Sequence, residues 1–326
     1  MFKILSNIRI NTITFVALFR YNMGFQSKLS QWMILFLLAF IWGSSFILMK
    51  RGLEVYNYWQ VAVIRMFVAF LALLPFVFKA IKRVPKDKWL YILGVGLFGN
   101  GIPAFLFTKA QTELSSSLTG MLNSLVPIFT LIIGFLIFHT RPNFTKIAGV
   151  FLGFIGAAGL IYFSGENSSD TSGNILYTLY VIAATVCYAI SLNIIKYRLS
   201  SVNSMDITAL AFTSIALPMA ILFFYFKVPQ TTLEHPQAIQ ALYYLLILSV
   251  IGTAFAVIIF NVLIKHSSAL FASSVTYIIP IVALFWGIID NESINVIQIL
   301  FMFIILSGVY LINTTKQNNK ELGLSK

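Results

Sequence analysis

The sequence predicts an all-α integral membrane protein of ten transmembrane helices, built as two five-helix inverted repeats. Three observations predict it. Of 326 residues, 59% are apolar and only 10% are Asp, Glu, Lys or Arg, against roughly 45–50% and about 25% in an ordinary globular domain. The apolar residues gather in continuous runs of about 20, the length that crosses a bilayer. The first five runs and the last five carry related residues at related spacings. So few charges cannot cover a soluble protein of this size, which excludes a soluble enzyme and a disordered chain.

Polar or Gly/Pro interruptions mark off the runs at about 31–49, 58–78, 89–108, 117–138, 145–163, 175–195, 205–226, 241–264, 268–289 and 295–312. They are continuous rather than alternating and about twice the length of a barrel strand, so a β-barrel is disfavoured. The organisation expected is a cytoplasmic N-terminal segment at 1–30, a first repeat at 31–163, a second at 175–312 and a cytoplasmic tail at 313–326. Ile10–Phe19 is too short to span, and no small-residue cleavage site marks a signal peptide. Met23 precedes the first clear run, so a start upstream of the one used in the cell accounts for residues 1–22. The alternative is a segment lying on the inner membrane surface.

Lys and Arg set the orientation. With the N-terminus inside, 17 of the 22 basic residues fall in cytoplasmic segments. Only Lys50, Arg51, Lys109 and Lys227 fall outside, and Arg65 lies within a span. This is a strong positive-inside bias and places both termini in the cytoplasm of a cell (inner) membrane. The net charge of +12 therefore reads as orientation signal rather than nucleic-acid binding.

The two halves resemble each other. At a shift of 153 residues, Ser115, Pro127, Ile128, Leu131 and Gly134 each meet an identical residue: Ser268, Pro280, Ile281, Leu284 and Gly287. At a shift of 146, Lys50 meets Lys196 and Trp42 meets Tyr188; at 156, Gly96 meets Gly252 and Lys109 meets Lys265. Five spans per half is an odd number, so the second half must enter the membrane from the opposite side. Such inverted repeats are typical of secondary transporters, because two quasi-equivalent halves can exchange conformations around a shared cavity.

At these residues the chain resembles a ten-helix, EamA-type member of the drug/metabolite transporter superfamily. The resemblance covers about residues 31–312 and rests on the order of its motifs: Trp42-Gly43-Ser44-Ser45-Phe46 in the first span, Arg65 and Leu74-Pro75 in the second, and the Ser-Ser to Pro to Gly series of spans four and nine. Gly149, Gly153, Gly156 and Gly159 supply the Gly-rich fifth span, and Ser307-Gly308-Val309 lies in the tenth. His139 stands where the second half has Glu292, a departure from the pattern. The resemblance implies movement of small metabolites, amino acids or toxic compounds, often coupled to an ion gradient.

The expected substrate cavity holds few charges. Its candidate residues are Trp42, Ser44, Arg65, Asn100, Asn123, Ser124, Tyr188, Asn193, Thr253, Ser274 and Tyr277. An amide or hydroxyl in lipid needs a partner, which is either a neighbouring helix or a bound solute. Asn123 and Ser124 precede Pro127 by about a turn, and Ser274 to Tyr277 precede Pro280. A proline frees a backbone carbonyl one turn earlier, and matched helix breaks point to a midplane site. Pro103, Pro127, Pro280, Gly99 and Gly101 are the expected kinks or hinges. Trp42 and Tyr188 are placed to stack on an aromatic or cationic ligand, while Trp32, Trp59, Trp89 and Trp286 fit interface anchors. Gly149 and Gly153 read as close helix packing.

Arg65, about 10 Å into its span, is either a partner for a substrate carboxylate or a structural arginine bound to backbone carbonyls. The acids all sit in loops or at span ends, which weakens a carboxylate-based antiport mechanism; coupling to an ion stays open, and simple facilitated exchange is compatible. One cysteine and three scattered histidines offer no metal site, and no cofactor is expected. The function expected is a secondary transporter of a small metabolite, amino acid or amphipathic compound, working as an exporter by alternating access. A membrane scaffold and a membrane-embedded lipid-modifying enzyme are the alternatives, and the enzyme would need a reactive constellation that the sequence does not display.

Overall fold

The computed structural model describes residues 28–139, 142–164, 171–266 and 275–314. Among these the chain is helical without a strand. In order, the helices are α1 (Lys28–Leu53), α2 (Tyr58–Arg83), α3 (Trp89–Gly96), α4 (Ile102–Ala110), α5 (Ser116–Asn123), α6 (Val126–Phe138) and α7 (Phe144–Ser164). Then follow α8 (Thr171–Arg198), α9 (Ser204–Tyr225), α10 (Val228–Glu234), α11 (Ala238–Ser249), α12 (Ala256–His266), α13 (Val275–Ile289) and α14 (Val296–Thr314). Eight helical segments are long and apolar enough to cross a membrane, and Val275–Ile289 and Val296–Ile312 are shorter apolar helices.

Local chemistry sets the starts. Asn57 and Gln60 form a capping box at α2, and Asn203 accepts from Met205 N at α9. Each side chain satisfies amides that the first helical turn leaves open. The outer surface is apolar, as lipid requires: Phe36, Phe78, Phe151 and Leu217 are all exposed, whereas Ile34, Leu73, Leu160 and Ile215 are buried.

Three of the expected spans are broken among the described residues, and two of the breaks correspond. Leu97–Gly101 between α3 and α4 is a π-turn, and so is Val250–Phe255 between α11 and α12. Their starts are related by the shift of 153. Through these turns Gly252 answers Gly99, rather than Gly96 as the shift of 156 expects. The fourth expected span is interrupted between α5 and α6, and Pro127 opens α6 in its first turn. Pro103 likewise sits in the first turn of α4. Pro280 lies inside α13, and the residues preceding that helix, Ser274 among them, fall outside the described ones.

Packing follows the same correspondence. The widest contacts are α7 with α14 and α2 with α9. Helix α1 packs on α13, and α8 packs on α6 in the corresponding way. Helix α8 also packs on α4, as α1 does on α12. Close approach of α7 and α14 depends on Gly149, Gly153 and Gly308: a Cβ on Gly149 would lie 2.6 Å from the Gly308 carbonyl, and one on Gly308 would lie 2.8 Å from the Gly153 nitrogen. That is the close packing the sequence suggests for these glycines.

Candidate functional site

The π-turns concentrate the polar side chains. A π-turn leaves backbone carbonyls without their ordinary partners and recurs at functional sites. In both halves a side chain repairs it in the same way: Asn100 Nδ2 donates to Val95 O at 3.4 Å, and Thr253 Oγ1 donates to Leu248 O at 3.2 Å. Both pairs are five residues apart and correspond at the shift of 153. Ser191 lies against Gly99, and Ser45, its counterpart, lies against Gly252. Trp42 Nε1 donates to Gly252 O at 3.0 Å, so its indole fastens α1 to the second π-turn.

Most of the remaining polar candidates have protein partners. Ser44 Oγ donates to Phe40 O at 2.6 Å and accepts from Trp286 Nε1 at 2.7 Å. Trp286 is thus tied into the bundle, and the reading of it as a free interface anchor is incomplete; Trp32, Trp59 and Trp89 are exposed as expected of anchors. Ser124 Oγ donates to Met121 O, and Asn193 Nδ2 to Thr130 O and Ala189 O. Tyr277 Oη donates to Val309 O at 3.0 Å, fastening α13 to α14. Asn123 is half-buried at the end of α5, beside the break before Pro127.

Arg65 differs from these. It is half-buried in α2, and its Nε is buried without a hydrogen-bond partner. Among the described residues no carboxylate lies within ion-pair distance of it. The Tyr188 side chain of α8 lies beside its guanidinium. The Tyr188 ring stacks on Phe107 at 5.7 Å, and Phe107 meets Phe46 edge-on at 6.0 Å. The three rings, from α8, α4 and α1, thus form a continuous run of aromatic contacts.

The charge cluster that sequence reasoning missed lies where α1 ends. Lys50 Nζ donates to Asp290 Oδ2 at 2.5 Å and to Glu292 Oε1 at 2.9 Å. Arg51 pairs with Asp290 and Glu54. Glu292 also accepts from both amides and both hydroxyls of Ser116 and Ser117, at 2.6–3.0 Å. A carboxylate is thereby clamped on the N-terminus of α5, where the helix dipole favours it. The turn after α13 makes this possible. Asn291 adopts a left-handed conformation (φ 56°), and Glu292 N donates to Gly287 O at 2.9 Å. Gly287 leaves room for the carboxylate: a Cβ there would sit 2.7 Å from Glu292 Oε2. Burial by itself would raise the Glu292 pKa, but the bonds from Ser117, Lys50 and the Ser116 amide outweigh it and hold it at about 2.

The first half repeats the turn without the charge. His139 N donates to Gly134 O, the counterpart of Gly287, and His139 stands where Glu292 does. Phe138 stacks on Tyr197 at 4.4 Å there, and Lys196, the counterpart of Lys50, lies over the Tyr197 ring. At that end of the bundle Asp206, buried in the first turn of α9, is 3.8 Å from Arg83.

The sequence profile of the EamA-like transporter family matches residues 30–162 and again 175–314. The chain belongs to the EamA-like transporter family. Relatives within reach of this EamA protein include an uncharacterized transporter of Archaeoglobus fulgidus, 23% identical over 287 residues that make up 87% of this chain and 99% of the relative. The uncharacterized inner membrane transporter YedA of Escherichia coli is 24% identical, over 90% of this chain and 94% of its own. YoaV of Bacillus subtilis, also an uncharacterized transporter, is 23% identical over 86% and 95%. A crystal structure at 13% identity superposes with a TM-score of 0.57 over 87% of this chain and 96% of its own, a likeness of fold. As an EamA chain with eight long apolar helices, it is a multi-pass membrane protein of a transporter family.

Proposed function

We propose that the protein is a secondary transporter that moves a small organic solute out of the cell by alternating access between two inverted five-span repeats. The reading takes the two shorter apolar helices, α13 and α14, as the ninth and tenth spans, with both termini in the cytoplasm. The single observation that carries it is the pair of corresponding π-turns, each repaired five residues back by a polar side chain. A scaffold has no use for two matched breaks in the middle of its spans, whereas an exchange of roles between halves needs a deformable place in each. The domain bounds 31–163 and 175–312 follow from the same correspondence. The family's name supports transport rather than enzymatic chemistry.

In this orientation the Lys50–Asp290–Glu292 cluster closes the outer end. It ties the ends of α1 and α13 to the start of α5, so opening outward requires these bonds to part. The solute path runs past Arg65, Asn123 and Tyr188, with Trp42, Ser44, Asn100, Ser124, Asn193, Thr253, Ser274 and Tyr277 shaping its wall. Glu292 stays ionised throughout the physiological pH range, so this latch carries no coupling proton.

Proteoliposomes containing the purified protein test the reading. Saturable uptake of at least one labelled amino acid, organic acid or amphipathic amine is expected. Folded protein that moves none of them refutes it. Asn123→Ala is expected to lower uptake at unchanged membrane abundance.

A further inference from the structure

Arg65 is a departure from the correspondence of the halves, and that departure is informative. Counted from the caps Asn57 and Asn203, the residue that answers Arg65 is Ala211, fully buried in α9. Helix α9 contains neither Lys nor Arg anywhere along its length. The corresponding position of the other half is therefore packed without a cation. The partners of Trp42 and Tyr188 differ in the same sense. Trp42 bonds to the π-turn carbonyl of Gly252, while Tyr188, its counterpart, lies beside Arg65.

A guanidinium within a span is costly and is retained where it meets a counter-charge or a path. It carries five donors in a planar fork that matches a carboxylate. Here Nε stays open, and no protein carboxylate is in reach among the described residues. Beside it the half-buried Tyr188 ring packs on the buried Phe107, which meets Phe46. Among the described residues Arg65 is the one cation set this far into a helix, which suits one negative charge and not the two or more of a phosphate ester.

We propose that Arg65, with Tyr188, holds the carboxylate of a small monoanionic solute whose apolar or aromatic body lies against the Tyr188 ring. This rests on the transporter reading and names the substrate class of its site. A carboxylate is distinguished there from its own neutral amide, because the amide cannot neutralise the guanidinium.

The test uses purified full-length protein in phosphatidylcholine nanodiscs, with thermal unfolding as the readout and phenylacetate, hexanoate, phenylacetamide and hexanamide as probes. The two acids are expected to raise the melting temperature and bind about 10- to 100-fold more tightly than their amides. Arg65→Gln should abolish that preference. Tyr188→Phe, which keeps the ring, should weaken acid binding several-fold and preserve the preference. Arg65→Lys should restore part of what Arg65→Gln loses. Amides that act as well as acids, acid binding that survives Arg65→Gln, or no stabilisation by either acid overturns the assignment. Phosphatidylglycerol nanodiscs that give the same Arg65-dependent stabilisation without acid identify a lipid headgroup as the occupant and also overturn it. Uptake in proteoliposomes is scored separately: acids that bind at Arg65 but are not moved refute the transporter reading and leave the binding assignment standing.

Discussion

Glu292→Gln is the most exacting test of the Lys50–Asp290–Glu292 cluster. The wild-type carboxylate receives one bond from Lys50 and four from Ser116 and Ser117. Its side chain is only 3% exposed, so water replaces little of what is lost. The fall in pKa from 4.5 to about 2 corresponds to roughly 3 kcal/mol favouring the ionised, folded form. The amide keeps one acceptor but turns an NH2 group toward donors, and Lys50 keeps only Asp290. A destabilisation of about 2–3 kcal/mol is expected, or roughly 5 °C in melting temperature by the scaling of large domains. The pH profile gives a second readout. Because the folded pKa is lowered, this stability is present above about pH 4.5 and is lost as pH falls toward 2. Differential scanning fluorimetry of both proteins from pH 7 to pH 2 checks it. The wild type should lose its margin over the variant across that window. Equal melting temperatures at pH 7, or a gap unchanged at pH 2, would refute the reasoning.

Gly308→Ala should destabilise by roughly 2–3 kcal/mol, since the new Cβ meets Gly149 and Gly153 backbone that has nowhere to move; thermal unfolding measures it. Trp42→Phe keeps the ring but strands Gly252 O, and a loss of about 1 kcal/mol is expected in the same assay. Asp206→Asn should cost under about 1 kcal/mol, because Arg83 is exposed and 3.8 Å away. A cost for Asp206→Asn as large as that for Glu292→Gln would refute a minor role for the Arg83–Asp206 pair.

Span composition and the positive-inside count were plain in the chain because lipid imposes them residue by residue. The glycines at 149 and 153 were equally plain, since small residues four apart share a helix face. The break before Pro127 and the loosened helix around Gly99 carried Gly and Pro signals. The second π-turn carried almost none: Val250–Phe255 contains one glycine and no proline, and only its correspondence with Leu97–Gly101 singles it out. The charge cluster was illegible for another reason. Lys50 and Asp290 are 240 positions apart, and no local pattern announces that a helix end will meet a distant turn. The mismatch of His139 with Glu292 was the visible trace of it. Trp286 shows the converse failure, because proximity to a span end says nothing of whether a neighbouring helix reaches the indole first.

A π-turn accommodates about one residue more than a regular turn, and one residue in an α-helix is about 100° of rotation. If the extra residue migrates along its span, everything between its old and new positions swivels by that angle while both ends keep their places. Asn100 and Thr253 ride on such swivels. Each half can therefore change which side chains it turns toward the centre without sliding against lipid or loosening its loops. In mechanical terms the bundle has two phase adjusters, and motion at the centre of the membrane need not be visible at its rims.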